Sequence, residues 1–227
     1  MKKLLLILPA FNEAKVISRV LDGLKKELKK IKGLEKEIVV VDDGSRDQTA
    51  KIAQDKKVTV LKHPINRGLG GALGTGIEYA RREEADFVVS FDADGQHDPR
   101  DVKKILQPLL ASQADIVIGQ RRIKEMPWDR KALTFLSSVA TFVFFGIWSS
   151  DAQSGFRAFN KKALQKVKIK TQRMEVSSEF FGEIKKHGLR FKEVPIKVIY
   201  TSYSRQKGQK NTNALKILIK LILRLFR

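Results

Sequence analysis

Two aspartates one residue apart, Asp92 and Asp94, are the residues of this chain best suited to chemistry. They follow the apolar run Phe87–Phe91, so they stand where a buried β-strand ends. Paired carboxylates in that position can share a divalent cation with a diphosphate, and their hard oxygens suit Mg2+ or Mn2+. Gln96 offers a carbonyl oxygen, so Asp92, Asp94 and Gln96 are the candidate metal ligands. Such a cation neutralises charge on a departing diphosphate. The competing reading is a solvated turn with Asp98 as helix cap. His97 is either a further ligand, a support for the carboxylates from behind, or a solvated side chain.

A second cluster, Asp42-Asp43-Gly44-Ser45, ends the run Glu37–Val41. An acidic residue at a strand end can hold ribose hydroxyls or a base edge. Capping of the next helix by Ser45 or Asp47, with Gly44 in the turn, is the alternative. Both hold together if Asp42 faces a ligand while Ser45 caps. A third cluster, Pro9–Glu13, closes Leu4–Leu8. The glycines at 68, 70, 71, 74 and 76 do not make a dinucleotide fingerprint, because Leu73 stands where glycine is required. The lysine and hydroxyl of a P-loop are also missing. We read the run as close helix packing plus a loop lining the site, with Asn66, Arg67 and Gly68 as candidate contacts. Two basic groups, Arg121, Arg122, Lys124, Arg130 and Lys131, then Arg205, Lys207 and Lys210, are either phosphate forks or solvated loops.

The elements that must position these residues alternate. Apolar runs at Leu4–Leu8, Glu37–Val41, Val58–Leu61, Phe87–Phe91 and Ile116–Gly119 read as strands. Helical spacing covers Asn12–Lys30, Asp47–Asp55, Gly70–Glu83 and Asp98–Leu110, with Val16, Val20, Leu24, Leu28 and Ile31 on one face of the first. This pattern predicts a parallel sheet with helices on both faces, and ligands bind beyond the carboxyl ends of such strands. The three polar clusters fall on that rim. Further on, Ala132–Trp148 and Val176–Lys186 read as helices. Ser154–Asn160 is the compact string SGFRAFN, and Phe191–Tyr200 is a strand pair or one strand bent at Pro195.

Composition narrows the partners. Lys and Arg number 45 against 25 Asp and Glu, a net charge of +20, which implies an anionic partner. No cysteine is present, so disulfide staples and thiolate metal sites are excluded. Beyond Glu193 there is no acidic residue, while eight basic ones follow. The acidic rim argues against a nucleic-acid-coating protein. The run Leu4–Leu8 is too short for a signal-peptide core and is a first strand. Ala132–Trp148, at 17 residues with several hydroxyls, falls at the lower limit for a membrane span. At the end of the chain Lys216, Lys220, Arg224 and Arg227 make a narrow stripe on an otherwise apolar helix. That pattern suits an interfacial helix on an anionic bilayer, with packing on the domain or an oligomer contact as the alternative.

The strings P-A-F-N-E (9–13), V-V-V-D-D-G-S-R-D-Q-T (39–49), N-R-G-L-G-G-A (66–72), D-A-D-G-Q-H-D-P (92–99) and S-G-F-R-A-F (154–159), in this order, resemble the inverting family 2 glycosyltransferases. Within that family they look like the dolichol-phosphate-mannose-synthase-like branch. The resemblance implies a GT-A-type α/β fold: a Rossmann-like, mostly parallel sheet with helices on both faces. It implies a catalytic domain over 1–200, with a nucleotide-sugar half at 1–119 and an acceptor half at 120–200. A basic loop at 201–213 and an amphipathic membrane helix at 214–227 would follow. Pro9, Ala10, Asn12, Glu13 and Asp42, joined by Asp43, Asn66 and Gly68, would line the nucleoside pocket. Asp92, Asp94 and Gln96 would handle Mg2+ or Mn2+ and the diphosphate. Arg121 and Arg130 would meet an acceptor phosphate, Asp151 would sit near the reacting centre, and Arg205 would contact phosphates. A serine-lysine that often follows the late glycine in the family is absent, since Gly208 precedes Gln209, Lys210 and Asn211. The implied reaction moves a hexose from GDP-mannose or UDP-glucose to a polyprenyl phosphate. A sugar or lipid hydroxyl acceptor, or a basic binding module, is the alternative. The expected location is the cytoplasmic face of a membrane, held peripherally by 214–227, with 132–148 as a candidate to join the same surface.

Overall fold

A computed structural model of the chain describes residues 1–121, 128–172 and 176–199. Of Trp128, Asp129, Arg130, Leu133 and Ser178 only the backbone is described. The expectations for Arg122, Lys124, Arg205, the 201–213 loop and the 214–227 helix lie outside the described residues.

The elements run β1 (Lys2–Ala10), α1 (Ile17–Leu28), β2 (Leu34–Asp42), α2 (Thr49–Asp55), β3 (Thr59–Lys62), α3 (Leu69–Arg82), β4 (Phe87–Ser90), α4 (Asp101–Leu110), β5 (Ile116–Arg121), α5 (Trp128–Phe145), β6 (Arg157–Asn160), α6 (Lys161–Lys166), α7 (Val176–His187) and β7 (Phe191–Ile196). The strands form one sheet in the order β3-β2-β1-β4-β6-β5-β7. Leu4 to Leu8 on β1 are wholly buried because both sheet faces are covered. One apolar layer joins Leu4, Leu6 and Leu8 to α1 and α4; the other joins Leu5 and Ile7 to α3 and α7. A Cβ on Gly76 would collide with Ile7, so α3 lies close on β1 only because that residue is glycine.

The sheet is mostly parallel, as expected; the exception is β6, which runs antiparallel to both β4 and β5. This strand is the RAFN end of the SGFRAFN string. The string is too short to show period-2 patterning, and its residues Arg157, Ala158 and Phe159 are all buried. The first helix starts at Ile17 rather than Asn12. Asn12 has φ 55°, and the Glu13 carbonyl accepts the first turn's bonds from Val16 and Ile17. Phe191–Tyr200 yields one strand, β7, at the sheet edge where Pro195 is tolerated. Beyond it, Val198 bridges His97, and Ile199 N–H donates to the Gln96 carbonyl at 2.7 Å.

Register places the chemistry. Ala10 pairs with Asp42 and Ile7 with Ser90, so β1, β2 and β4 end on one rim. The opposite end of β5 is stapled by Asp115, which accepts from Arg190 Nη2 and Asn160 Nδ2 at 2.9 Å and from Lys162 Nζ at 3.2 Å. The Arg190 bond, with those from Asn160 and Lys162, holds the Asp115 carboxyl well below the usual range against the opposing effect of burial. A carboxylate with a depressed folded pKa stabilises the fold above its unfolded pKa. That contribution is lost as pH falls through the folded value. Asp115→Ala is therefore expected to cost about 2–3 kcal/mol at neutral pH. The gap should begin to narrow below about pH 4 and go on narrowing as the pH falls toward the folded value, as urea unfolding at several pH values would show.

Candidate active site

Beyond β4, Phe91 N–H still donates to the Ile7 carbonyl at 2.9 Å, and the chain then turns out of the sheet. Gly95 makes the turn with φ 75°. Gln96 N–H donates to Asp94 Oδ1 at 2.9 Å, and the Gln96 amide donates to Oδ2. Gln96 therefore holds Asp94 with its nitrogens. His97 is buried against Phe91 and Phe156, and its Nε2 lies 2.9 Å from Asp92 Oδ2. It supports Asp92 from behind. Gly155 closes the other side: a Cβ there would lie 2.5 Å from Asp92 Oδ1. This contact accounts for the glycine in the SGFR string.

The two carboxylates differ. Burial pushes Asp94 up, and the charges of Asp92 and Glu13 push it further. Burial opposes ionisation of Asp92 too, but the His97 hydrogen bond and the charges of His97, Arg121 and Arg157 hold it below the usual range. Of the two, Asp94 is left short of compensating positive charge. A hard dication fits that deficit. Among the described residues no three His, Asp or Glu side chains form a cage of their own. Phosphate oxygens and water would complete the shell of a cation on Asp92 and Asp94, as Mg2+ sites commonly require.

The neighbouring clusters lie on the same rim as this pair. Asp43 N–H donates to the Ala10 carbonyl at 2.8 Å, joining the ends of β1 and β2. Asp42 is buried; its Oδ1 accepts from Ser45 N–H at 3.2 Å. Ser45 Oγ accepts from Asn12 N–H at 2.9 Å, so Ser45 ties the first two clusters together and does not cap α2. Asp47 takes the capping role, with Oδ1 2.9 Å from Thr49 N. Asp43 points away to organise the glycine loop, accepting from Arg67 N–H at 2.8 Å, Gly68 N–H at 2.7 Å and His63 Nδ1 at 2.7 Å. Asn66 Nδ2 donates to the Asp43 carbonyl. Asp43, Asn66 and Gly68 are thus held in place through one another. Gly70 meets Thr171 so closely that a Cβ would overlap its carbonyl, which is the helix packing expected of the glycine run. A groove of about 690 Å3 lies behind α3, walled by Arg67, Arg81 and residues 168–172, and includes none of the rim carboxylates.

Arg121 ends β5. Its Nε and Nη2 donate to the two oxygens of Asp151 at 2.6 Å each, and its N–H to Oδ2 at 3.1 Å. Asp151 is fully buried, so its carboxylate is occupied as the seat of an arginine fork. Glu193 on β7 accepts from Ser149, Ser150 and Asp151. Arg157, also buried, donates from Nε to the Ser154 carbonyl at 2.8 Å and from Nη2 to Ala152 at 3.0 Å, and it lies over the Phe180 ring. Burial pushes its pKa down to about 10 against the pull of Asp92 and Asp151. Arg130 lies on α5 by its backbone.

The structure thus brings together Pro9, Ala10, Asn12, Glu13, Asp42, Asp92, Asp94 and Gln96 on one rim, with Arg121 within electrostatic reach of Asp92. Sequence reasoning missed Gly155, Arg157 and Glu193. The SGFR string was a signal for the first two. Glu193 was legible only as the last acidic residue before a basic tail.

The family model for Glycosyl transferase family 2 matches residues 5–168. An uncharacterized protein of Methanocaldococcus jannaschii is 46% identical over 97% of this chain and 91% of its own length. A UDP-N-acetylglucosamine–dolichyl-phosphate N-acetylglucosaminyltransferase of Methanococcus voltae is 37% identical, covering 98% of this chain and 96% of that protein. Among solved structures, glucosyl-3-phosphoglycerate synthase of Mycobacterium tuberculosis, in complex with Mn2+, UDP and phosphoglyceric acid, superposes with a TM-score of 0.69. It is 21% identical and covers 97% of this chain and 78% of that one, a likeness of fold.

Proposed function

Because the chain belongs to glycosyl transferase family 2 and has the GT-A fold, we propose that this glycosyltransferase moves one sugar from a nucleotide sugar to a polyprenyl phosphate, inverting the anomeric carbon. The observation that carries this reading is Arg121, forked on buried Asp151 and within electrostatic reach of Asp92. The Asp92–Asp94 end of the rim would suit a cation-bound diphosphate leaving group and the Arg121 end an anionic acceptor. The Methanococcus relative, by its name, acts on dolichyl phosphate, which supports the acceptor class.

Pro9, Ala10, Asn12 and Asp42 would hold the nucleoside, and Asp43, Asn66 and Gly68 would form the wall beside it. Asp92 and Asp94 would hold Mg2+ or Mn2+, which supplies Lewis-acid neutralisation of the departing diphosphate. Gln96 and His97 keep the two carboxylates in place. Arg121, with Arg130 and Arg205, would orient the acceptor phosphate for in-line attack. A phosphate monoester has its second pKa near about 6, so the nucleophile is already mostly dianionic at neutral pH. No general base is then needed, in keeping with an Asp151 whose oxygens are spent on Arg121.

The surface of α5 supports attachment to a membrane. Its buried side carries Thr134, Ser138 and Thr141, while Phe135, Leu136, Phe142 and Val143, with Trp148 just beyond, are exposed. This is the reverse of a soluble amphipathic helix. No helix among the described residues is long and apolar enough to cross a membrane. The face would lie on the cytoplasmic surface of an anionic bilayer, together with 214–227. Phe142→Ser/Trp148→Ser is expected to lower sedimentation with anionic vesicles several-fold. Turnover of a short, water-soluble acceptor should be unchanged.

The reaction is tested by nucleotide release with Mn2+ or Mg2+ and each of UDP-N-acetylglucosamine, UDP-glucose and GDP-mannose in turn. Release that requires a polyprenyl phosphate and fails with the matching polyprenol supports the reading. Release with the alcohol alone would replace it with a hydroxyl acceptor.

A further inference from the structure

We propose that Glu193 is a positioning residue for the acceptor end of the site, acting on Arg121 through the turn that carries Asp151; this rests on the acceptor assignment above. Between α5 and β6 the chain has no regular structure, and the buried Asp151 sits inside that segment. Something outside the segment must fix it. Glu193 does so from β7, the strand hydrogen-bonded to β5, where Ile118 is its register partner. Its Oε1 accepts from Ser149 Oγ at 2.7 Å, Ser150 N–H at 2.8 Å and Asp151 N–H at 3.4 Å. Its Oε2 accepts from Ser150 Oγ at 2.6 Å. Arg157 secures the far side of the turn through the Ala152 and Ser154 carbonyls. Asp151 is thus held at its backbone by Glu193 and in turn holds the Arg121 guanidinium at both nitrogens.

Four donors converge on the two Glu193 oxygens, which suits a carboxylate with about four lone-pair sites. An amide keeps one oxygen for Ser149 and the backbone and turns a donor toward Ser150 Oγ, which can rotate to accept it. Glutamine should therefore rescue in part, and alanine not at all. A displacement of the fork by about 1 Å can cost up to about 100-fold in a reaction that depends on orientation.

The test compares wild type, Glu193→Ala, Glu193→Gln and Ser150→Ala. The readouts are kcat and KM for a short polyprenyl phosphate, plus the affinity for UDP and GDP with Mn2+. The expected result is a KM for lipid phosphate raised about 10-fold to 100-fold in Glu193→Ala. Glu193→Gln and Ser150→Ala should fall between it and wild type, with nucleotide affinity unchanged. Should Glu193→Ala not fold, the same order of KM in the two milder variants carries the test. A wild-type KM in the variants, or an equal loss of nucleotide affinity, would overturn the role of Glu193. Failure of the wild-type enzyme to use any lipid phosphate would instead overturn the acceptor assignment.

Discussion

Replacing Asp94 with alanine is expected to lower kcat about 1,000-fold. Asp94 is the carboxylate that burial and the charges of Asp92 and Glu13 push up, so it gains most from a bound cation. Asp92 has His97 as a fixed partner and nearby arginines as counter-charge. With Asp94 gone, Asp92 alone would have to hold the cation that neutralises the departing diphosphate. Asp94→Asn is the sharper version. Its side-chain oxygen can still accept from Gln96 N–H, and its new amide can donate to a Gln96 side chain turned to present its oxygen, so the turn survives while the negative charge is lost. Both variants should fold with wild-type melting temperature and lose turnover together. If Asp94→Asn keeps its rate within about threefold, the loop is a solvated turn and the cation assignment fails.

The second large effect falls on Arg121 and Asp151, which act as one unit. Arg121→Ala and Asp151→Ala should each lower kcat/KM for lipid phosphate by about 100-fold to 1,000-fold. The double variant should lose no more than either alone, because Asp151 works only through the fork. Stability separates the singles. Arg121→Ala leaves a fully buried carboxylate unpaired, at a cost of about 3–5 kcal/mol. Arg121→Ala/Asp151→Asn removes that charge and should recover much of the melting temperature. A base at Asp151 would give another result: Asp151→Asn would abolish the acidic limb of the pH–rate profile, while Arg121→Ala kept it.

Much of this site was legible because its parts lie at strand ends. Leu4–Leu8, Glu37–Val41 and Phe87–Phe91 are apolar on both faces, so a parallel sheet and its reactive rim followed from the pattern. Asp92 and Asp94 announced themselves by spacing. The second half was harder to read. β6 carries a buried arginine in a four-residue strand, and antiparallel insertion between β4 and β5 depends on pairings distant in sequence. Asp43 looked equivalent to Asp42, yet Asp42 holds the Ser45 backbone while Asp43 organises Arg67 and Gly68. Successive residues leaving a strand point in opposite directions, and the sequence does not say which is which. Glu193 has no local motif at all. Its partners are more than 40 residues away, at the turn it clamps.

The phosphorus spectrum of a reaction containing protein, Mn2+ or Mg2+, nucleotide sugar and a short polyprenyl phosphate tests sugar transfer to lipid phosphate most directly. The expected result is conversion of the phosphate monoester to a sugar phosphodiester of inverted anomeric configuration, matched mole for mole by released nucleoside diphosphate. An unchanged monoester resonance while nucleotide is released, or a product of retained configuration, would contradict it.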